Sequence, residues 1–134
     1  MSRSSSESRG KAPIRLASRA GGRDAERELY RMQADIAQAL AHPVRLRILD
    51  LVGDREVPYA LLLDDVGVTK ANLSQHLAVL RRAGVLTVRR DGVYVHYRLR
   101  FPEIKGLCSG MRDVLARHLD ESGRRGRLLM RKGL

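Results

Sequence analysis

The 134-residue chain has one cysteine, no tryptophan and one phenylalanine, and aromatic residues make up only 4% of it. A single cysteine cannot build an intramolecular disulfide framework, so a reducing, cytoplasmic setting is expected. The shortage of rings disfavours single-stranded nucleic acid as partner, because such binders stack bases on exposed aromatics. No apolar run approaches the roughly 18 to 20 residues that would span a membrane, and no secretory h-region opens the chain. Negative charge is also in short supply: 15 Asp plus Glu stand against 26 Lys plus Arg, for a net charge of +11. That excess suits a polyanionic partner, most simply duplex DNA. The length fits one domain.

The charge is unevenly placed. Residues 1–23 sum to +5 and residues 121–134 to +4, so the two ends hold nine of the eleven charges. Within the middle, residues 24–68 sum to −4, residues 69–100 to +6, and residues 101–120 balance. The Ser-, Arg- and Gly-rich stretch 1–23 reads as a disordered basic arm. Its composition also resembles a mitochondrial transit peptide, although apolar periodicity is nearly absent from it. Residues 121–134 read as a basic tail that adds nonspecific DNA affinity. The folded domain is expected over residues 24–120.

From Asp24 onward the pattern is helical. Leu29, Met32, Ile36 and Leu40 lie on one stripe of an amphipathic helix. His42-Pro43 ends that helix and Pro43 suits the first turn of the next, about 43–52. Val57 to Val66 reads as a third helix closed by Gly67. Thr69 can cap a fourth, running to about Ala83, with Leu73, Leu77 and Leu80 as its buried stripe and Gly84 after its end. Lys70, Asn72, Ser74, Gln75, His76 and Arg82 fall mostly off that stripe. A short helix, a glycine turn and a helix with polar residues near its start follow the helix-turn-helix pattern, whose second helix enters the major groove.

Val85 to Leu99 reads as a hairpin around Asp91-Gly92, a preferred centre of a two-residue turn. That register pairs Val88 with Val95 and Leu86 with Tyr97 on a packed side. It puts Arg89 opposite Tyr94 and Thr87 opposite His96 on a polar, cationic side. With Arg90 and Arg98 nearby, the ribbon is a wing that can lie along a phosphate backbone. Pro102 opens a last helix, about 102–120, with Ile104, Leu107, Met111, Val114 and His118 in register and Cys108 and Leu115 widening the stripe. The apolar faces of the first and last helices are expected to form a homodimer interface.

Three runs taken together are specific: Ala39-Leu-Ala-His-Pro-Val-Arg-Leu-Arg-Ile-Leu49, Leu73-Ser-Gln-His-Leu-Ala-Val-Leu-Arg-Arg-Ala-Gly-Val85 and Arg90-Asp-Gly-Val-Tyr-Val-His-Tyr-Arg98. Over about residues 29–120 the chain resembles the ArsR/SmtB family of bacterial transcriptional repressors. The resemblance implies a dimeric, mainly α winged helix-turn-helix with a small β-hairpin wing, which sits on a duplex operator and leaves it when an effector binds. Ser74, Gln75 and His76 match the family's S-x-H-L core, which contacts DNA. Gln can pair bidentately with adenine, while Ser and Lys can hold phosphates. A structural hydrogen bond is an equal reading for His76.

Family members sense metals, metalloids or thiol-reactive species, and here the match breaks down. The stretch Val57–Asp65, where metalloid sensors carry a Cys-x-Cys pattern, has neither cysteine nor histidine. His118-x-x-Glu121 matches half of the family's last-helix zinc motif, but Lys105 and Leu107 occupy the other half. A tetrahedral site needs about four ligands, so no complete metal site can be assembled and any cofactor stays unassigned. Cys108 is the sole soft ligand, readable as a sensor with His118 and Glu121 or as a small packing residue. No catalytic constellation or phosphate-cradling glycine loop is present, so no enzymatic activity is expected. Two other readings stay open: a repressor without ligand, controlled by abundance or a protein partner, and a nucleoid-type protein without sequence preference.

Overall fold

In a computed structural model of the chain, residues 20–122 are described and form five helices and a small antiparallel sheet. The elements in order are α1 (Ala20–Leu40), α2 (Pro43–Val52), β1 (Val57–Pro58), α3 (Tyr59–Val66), α4 (Lys70–Arg82), β2 (Leu86–Asp91), β3 (Tyr94–Leu99) and α5 (Glu103–Glu121). The chain divides into two units, one ending at Asp35 and the other running from Ile36. In the first, α1 carries surface pairs such as Arg31–Glu28 at 3.1 Å, while Tyr30 and Met32 lie more than half exposed. The second unit holds the core.

Local chemistry sets most element boundaries. The Nδ1 of His42 accepts from the Val44 amide at 3.0 Å and caps α2, with Pro43 in the first turn where its missing N–H costs nothing. Thr69 caps α4 through its hydroxyl, which accepts from the Asn72 amide at 3.1 Å. At the other end of α4 the Gly84 amide donates to Arg81 and the Val85 amide to Leu80. This paired closure needs a left-handed residue, and Gly84 takes it at φ +78°. Ile48, Leu49 and Val52 from α2, Leu62 from α3, and Leu73, Leu77 and Leu80 from α4 meet Val57, Leu86 and Tyr97 in one buried cluster.

Three expectations need correction. The first helix begins at Ala20, so residues 20–23 are helical and only residues 1–19 of the expected arm, with 123–134 of the tail, lie outside the described residues. Helix propagation adds one hydrogen bond per residue fixed, so the helix starts well before its first stripe residue, Leu29. The third helix begins at Tyr59 because Val57 and Pro58 pair with Tyr97 and His96 instead, giving the sheet order β1-β3-β2. Pro58 has no N–H to offer a second neighbour, and the sheet edge is where a proline fits.

The hairpin register is the third correction. Val88 faces Tyr97, Leu86 faces Leu99, Arg89 faces His96 and Asp91 faces Tyr94. The two-residue loop is Gly92-Val93, with Gly92 at φ +64° in the place where loops of the II′ class put glycine. Each partner moves by two residues, and side chains alternate with period two, so every residue keeps its expected face. In α5 only Ile104 of the stripe is buried and Cys108 is half-buried, while Leu107, Met111, Val114 and Leu115 are 45–71% exposed in the single chain, as a face expected to meet a second copy would be.

Ile48 is fully buried. Ile48→Ala is expected to lower the unfolding free energy by about 2–5 kcal/mol in urea titration. By contrast, Arg47→Ala, which removes only an exposed pair with Asp50 at 3.8 Å, should cost about 1 kcal/mol or less.

Candidate nucleic-acid interface

With one side of α4 buried through its three leucines, the helix must show its other side. Lys70, Asn72, Ser74, Gln75 and Arg82 are all exposed there. Tyr59, which sequence patterning did not single out, supports the start of α4. Its hydroxyl lies 3.4 Å from the Ser74 hydroxyl and 3.5 Å from the Lys70 carbonyl, tying the start of α3 to the first turn of α4. Nothing in a lone tyrosine fifteen residues before Ser74 signals that contact.

His76 departs from this exposed row. It is half-buried, its Nδ1 accepts from Arg45 Nη1 at 3.2 Å, and its ring centroid lies 4.3 Å from that of His42. Arg45 also donates through Nε to the Ala39 carbonyl at 2.6 Å and through Nη2 to the Gln38 carbonyl at 3.4 Å. Burial, and then the neighbouring His42 and Arg45, hold the His76 pKa below its ordinary value. The structural hydrogen bond is therefore the arrangement seen for His76. The pairing with His42 had no sequence signal, since no metal spacing links them.

The hairpin places its charges on both faces. Thr87, Arg89, His96 and Arg98 share one face with Tyr94, which is 66% exposed near the loop. Arg90 lies on the opposite face, close enough to Tyr97 to oppose the burial that raises the tyrosine's pKa. Arg89 is already engaged: its Nε and Nη2 donate to the two Glu56 oxygens at 2.9 and 2.8 Å. That bidentate bond holds the Glu56 carboxyl below the usual carboxylate range and raises Arg89 further. The two residues are 33 positions apart, so neither periodicity nor spacing could reveal the pair.

The expected sensing residues do not converge. His118 and Glu121 are exposed near the end of α5, and Cys108 sits half-buried earlier on the same helix. Burial pushes the Cys108 thiol up, and Arg112, one turn on, only partly offsets this. Arg112 is itself held by Asp50 at 2.7 Å. Among the described residues no three His, Cys, Asp or Glu side chains gather in a group that could hold a metal ion.

A helix-turn-helix domain model matches residues 40–89, which run from the end of α1 into the wing. The chain is 47% identical over 94 residues to the HTH-type transcriptional regulator Rv0081 of Mycobacterium tuberculosis (strain H37Rv), covering 69% of this chain and 82% of that protein. The chain belongs to the ArsR/SmtB family. Its fold superposes on the crystal structure of Rv0081 with a TM-score of 0.65 at 46% identity, over 70% of this chain and 95% of that one. It also superposes on the homodimeric winged helix-turn-helix DNA-binding domain of Mb0332 from Mycobacterium bovis, with a TM-score of 0.69 at 28% identity, over 77% and 95% of the two chains. The regulator KmtR of M. tuberculosis is 36% identical over 73 residues, covering 54% of this chain and 56% of its own. The protein is a sequence-specific DNA-binding transcriptional regulator.

Glu56 removes one guanidinium of the wing from the pool available to DNA. Glu56→Gln should free Arg89 for a phosphate and steepen the salt dependence of random-duplex binding by about 0.9 in log–log slope, measured by fluorescence anisotropy. An unchanged slope would mean that Arg89 reaches no phosphate even when released.

Proposed function

We propose that the protein is a homodimeric repressor that binds a pseudo-palindromic operator in cytoplasmic DNA. Lys70, Asn72, Ser74 and Gln75 of α4 enter the major groove, and the hairpin residues Arg90, Tyr94 and His96 grip the flanking backbone. Arg82 extends the same exposed side toward the helix end, and Arg89 joins only when Glu56 lets it go. The observation that carries this reading is the polar N-terminal row of α4, opposed to a leucine row fixed in the core. Gln75 is the base reader of the set, being exposed and able to bond adenine bidentately. The basic ends of the chain would add sequence-independent affinity.

The dimer rests on the open apolar faces: Tyr30, Met32 and Ile36 on α1, and Leu107, Met111, Val114 and Leu115 on α5. Single chains rarely leave apolar helix faces of this kind uncovered. The homodimeric relative Mb0332 supports the same assignment. No described helix is long and apolar enough to cross a membrane, so these faces suit a protein partner.

Release by a metal, metalloid or thiol-reactive effector would act through Cys108, the sole cysteine, without His118 and Glu121, which lie further along α5 and do not converge on it. Cys108→Ser should leave operator binding intact. Release by arsenite or a mild oxidant that disappears in this variant supports sensing, and release that persists assigns the thiol to packing.

Selection of duplexes from a randomised pool at pH 7.5 is expected to recover an operator. On it, Gln75→Ala should cost about 1–3 kcal/mol, with little change on random DNA. Equal losses on both would point to the nucleoid-type alternative. Met111→Glu should shift sedimentation toward monomer and weaken operator binding with it, because a buried unpaired charge is costly at an interface.

A further inference from the structure

Operator reading, as proposed above, leaves the polar cluster of His42, Arg45 and His76 without a task, and yet it is the most connected group of side chains beside the recognition helix. Arg45 on α2 spends its three donor nitrogens on the Gln38 carbonyl, the Ala39 carbonyl and His76 Nδ1. A guanidinium can only donate, so His76 Nδ1 is the acceptor and the neutral ring carries its proton on Nε2. The same logic holds for His42, whose Nδ1 accepts from the Val44 amide. The His76 ring therefore joins the last turn of α1 and the first turn of α2 to α4 through Arg45 only while it is neutral.

We propose that His76 is a positioning residue whose neutral imidazole holds the recognition helix against the α1–α2 junction, and that its protonation frees the helix and releases operator DNA on acidification. The inference rests on the reading of α4 as the element that contacts DNA.

The charges around the ring fix the direction. Protonating Nδ1 turns an acceptor into a donor that faces a donor, and puts a second positive charge 3.2 Å from the permanent one on Arg45. The other titratable neighbour is His42, whose ring centroid lies 4.3 Å away and which also helps to hold the His76 pKa down. Among the described residues, no carboxylate forms an ion pair with either ring. The carbonyls of Gln38 and Ala39 are already taken by Arg45. Burial adds to these charges in depressing the His76 pKa.

The linkage then has one sign. A freed His76 takes up its proton near its ordinary pKa of 6.5, whereas the locked one resists. The stabilisation of the locked arrangement is complete above that value and falls as pH drops below it. One such histidine limits the effect to on the order of tenfold per protomer at pH 5.5, and the two of a dimer to on the order of a hundredfold. A histidine that simply faced a phosphate would behave oppositely, since acid would make it a better cation for DNA.

The test uses the full chain and the operator recovered by selection at pH 7.5. Wild-type affinity should fall between tenfold and on the order of a hundredfold between pH 7.5 and 5.5 at constant ionic strength, according to whether one or both protomers must stay locked. His76→Gln keeps an acceptor for Arg45 but cannot titrate, so it should bind well at pH 7.5 and lose the acid response. Wild-type binding that is as tight or tighter at pH 5.5 would overturn the proposal. So would an equal acid loss in His76→Gln, or a loss of operator-over-random preference in that variant at pH 7.5, which would make His76 a base reader. Nitrogen-15 NMR of the wild-type chain without DNA should find the neutral His76 as the Nε2–H tautomer, and an Nδ1–H tautomer would reject the cluster. That measurement needs neither a folded variant nor an operator. Failure to select any operator therefore counts against the proposed function, while the tautomer decides the cluster.

Discussion

The burial of Leu73, Leu77 and Leu80 is the constraint on which the DNA-binding surface depends. A helix with 3.6 residues per turn that sinks positions i, i+4 and i+7 into a core has only one remaining side to offer. Lys70, Asn72, Ser74 and Gln75 are exposed because of where the leucines are, and no separate device turns them outward. The core that receives these leucines is built from α2, α3 and the sheet, with Ile48, Val52, Leu62 and Val57 fully or almost fully buried. Thr69 and Gly84 then fix where the helix begins and ends.

Net charge locates this surface poorly. Most of the +11 belongs to the two ends of the chain, and the useful quantity is the swing from acidic to basic between residues 24–68 and 69–100. Even inside the basic stretch, counting arginines overstates the free charge. Arg89 is bound by both oxygens of Glu56, a residue of the acidic half, so the two halves are partly cross-neutralised in space. An exposed pair of this kind adds little to stability. What it sets is which guanidiniums of the wing remain at liberty to meet a phosphate.

Much of the fold was legible in the sequence because its signals were periodic or local. The helix stripes, the Thr69 cap and the His42-Pro43 junction each depend on residues within a turn of one another. The hairpin was legible in its faces but not in its register: alternation reports only parity, and a shift of two residues leaves parity intact. Strand β1, two residues long, has no alternation to detect, and its pairing with Tyr97 and His96 is set by a strand about forty residues later. The exposed row of α4 followed from its stripe. His76 did not, because its position on the helix permits an outward or an inward rotamer, and Arg45 and His42, brought in by folding, decide between them.

That decision bears on how firmly a helix can be aimed at DNA. Apolar contacts such as those of Leu73 and Leu77 are strong but nearly non-directional, and they hold a helix to a surface without fixing its rotation or slide. Base recognition tolerates errors of only about half an ångström. A hydrogen bond between a planar guanidinium and an imidazole nitrogen has the directionality that leucine packing lacks. The Arg45–His76 contact lies between Leu73 and Leu77 along the chain, beside the residues that would meet the bases. The other two Arg45 donors bond carbonyls in the last turn of α1, so a single guanidinium bridges that turn and the recognition helix. The leucines thus choose the face that α4 shows, and Arg45 with His76 supplies the alignment that apolar packing alone would leave loose.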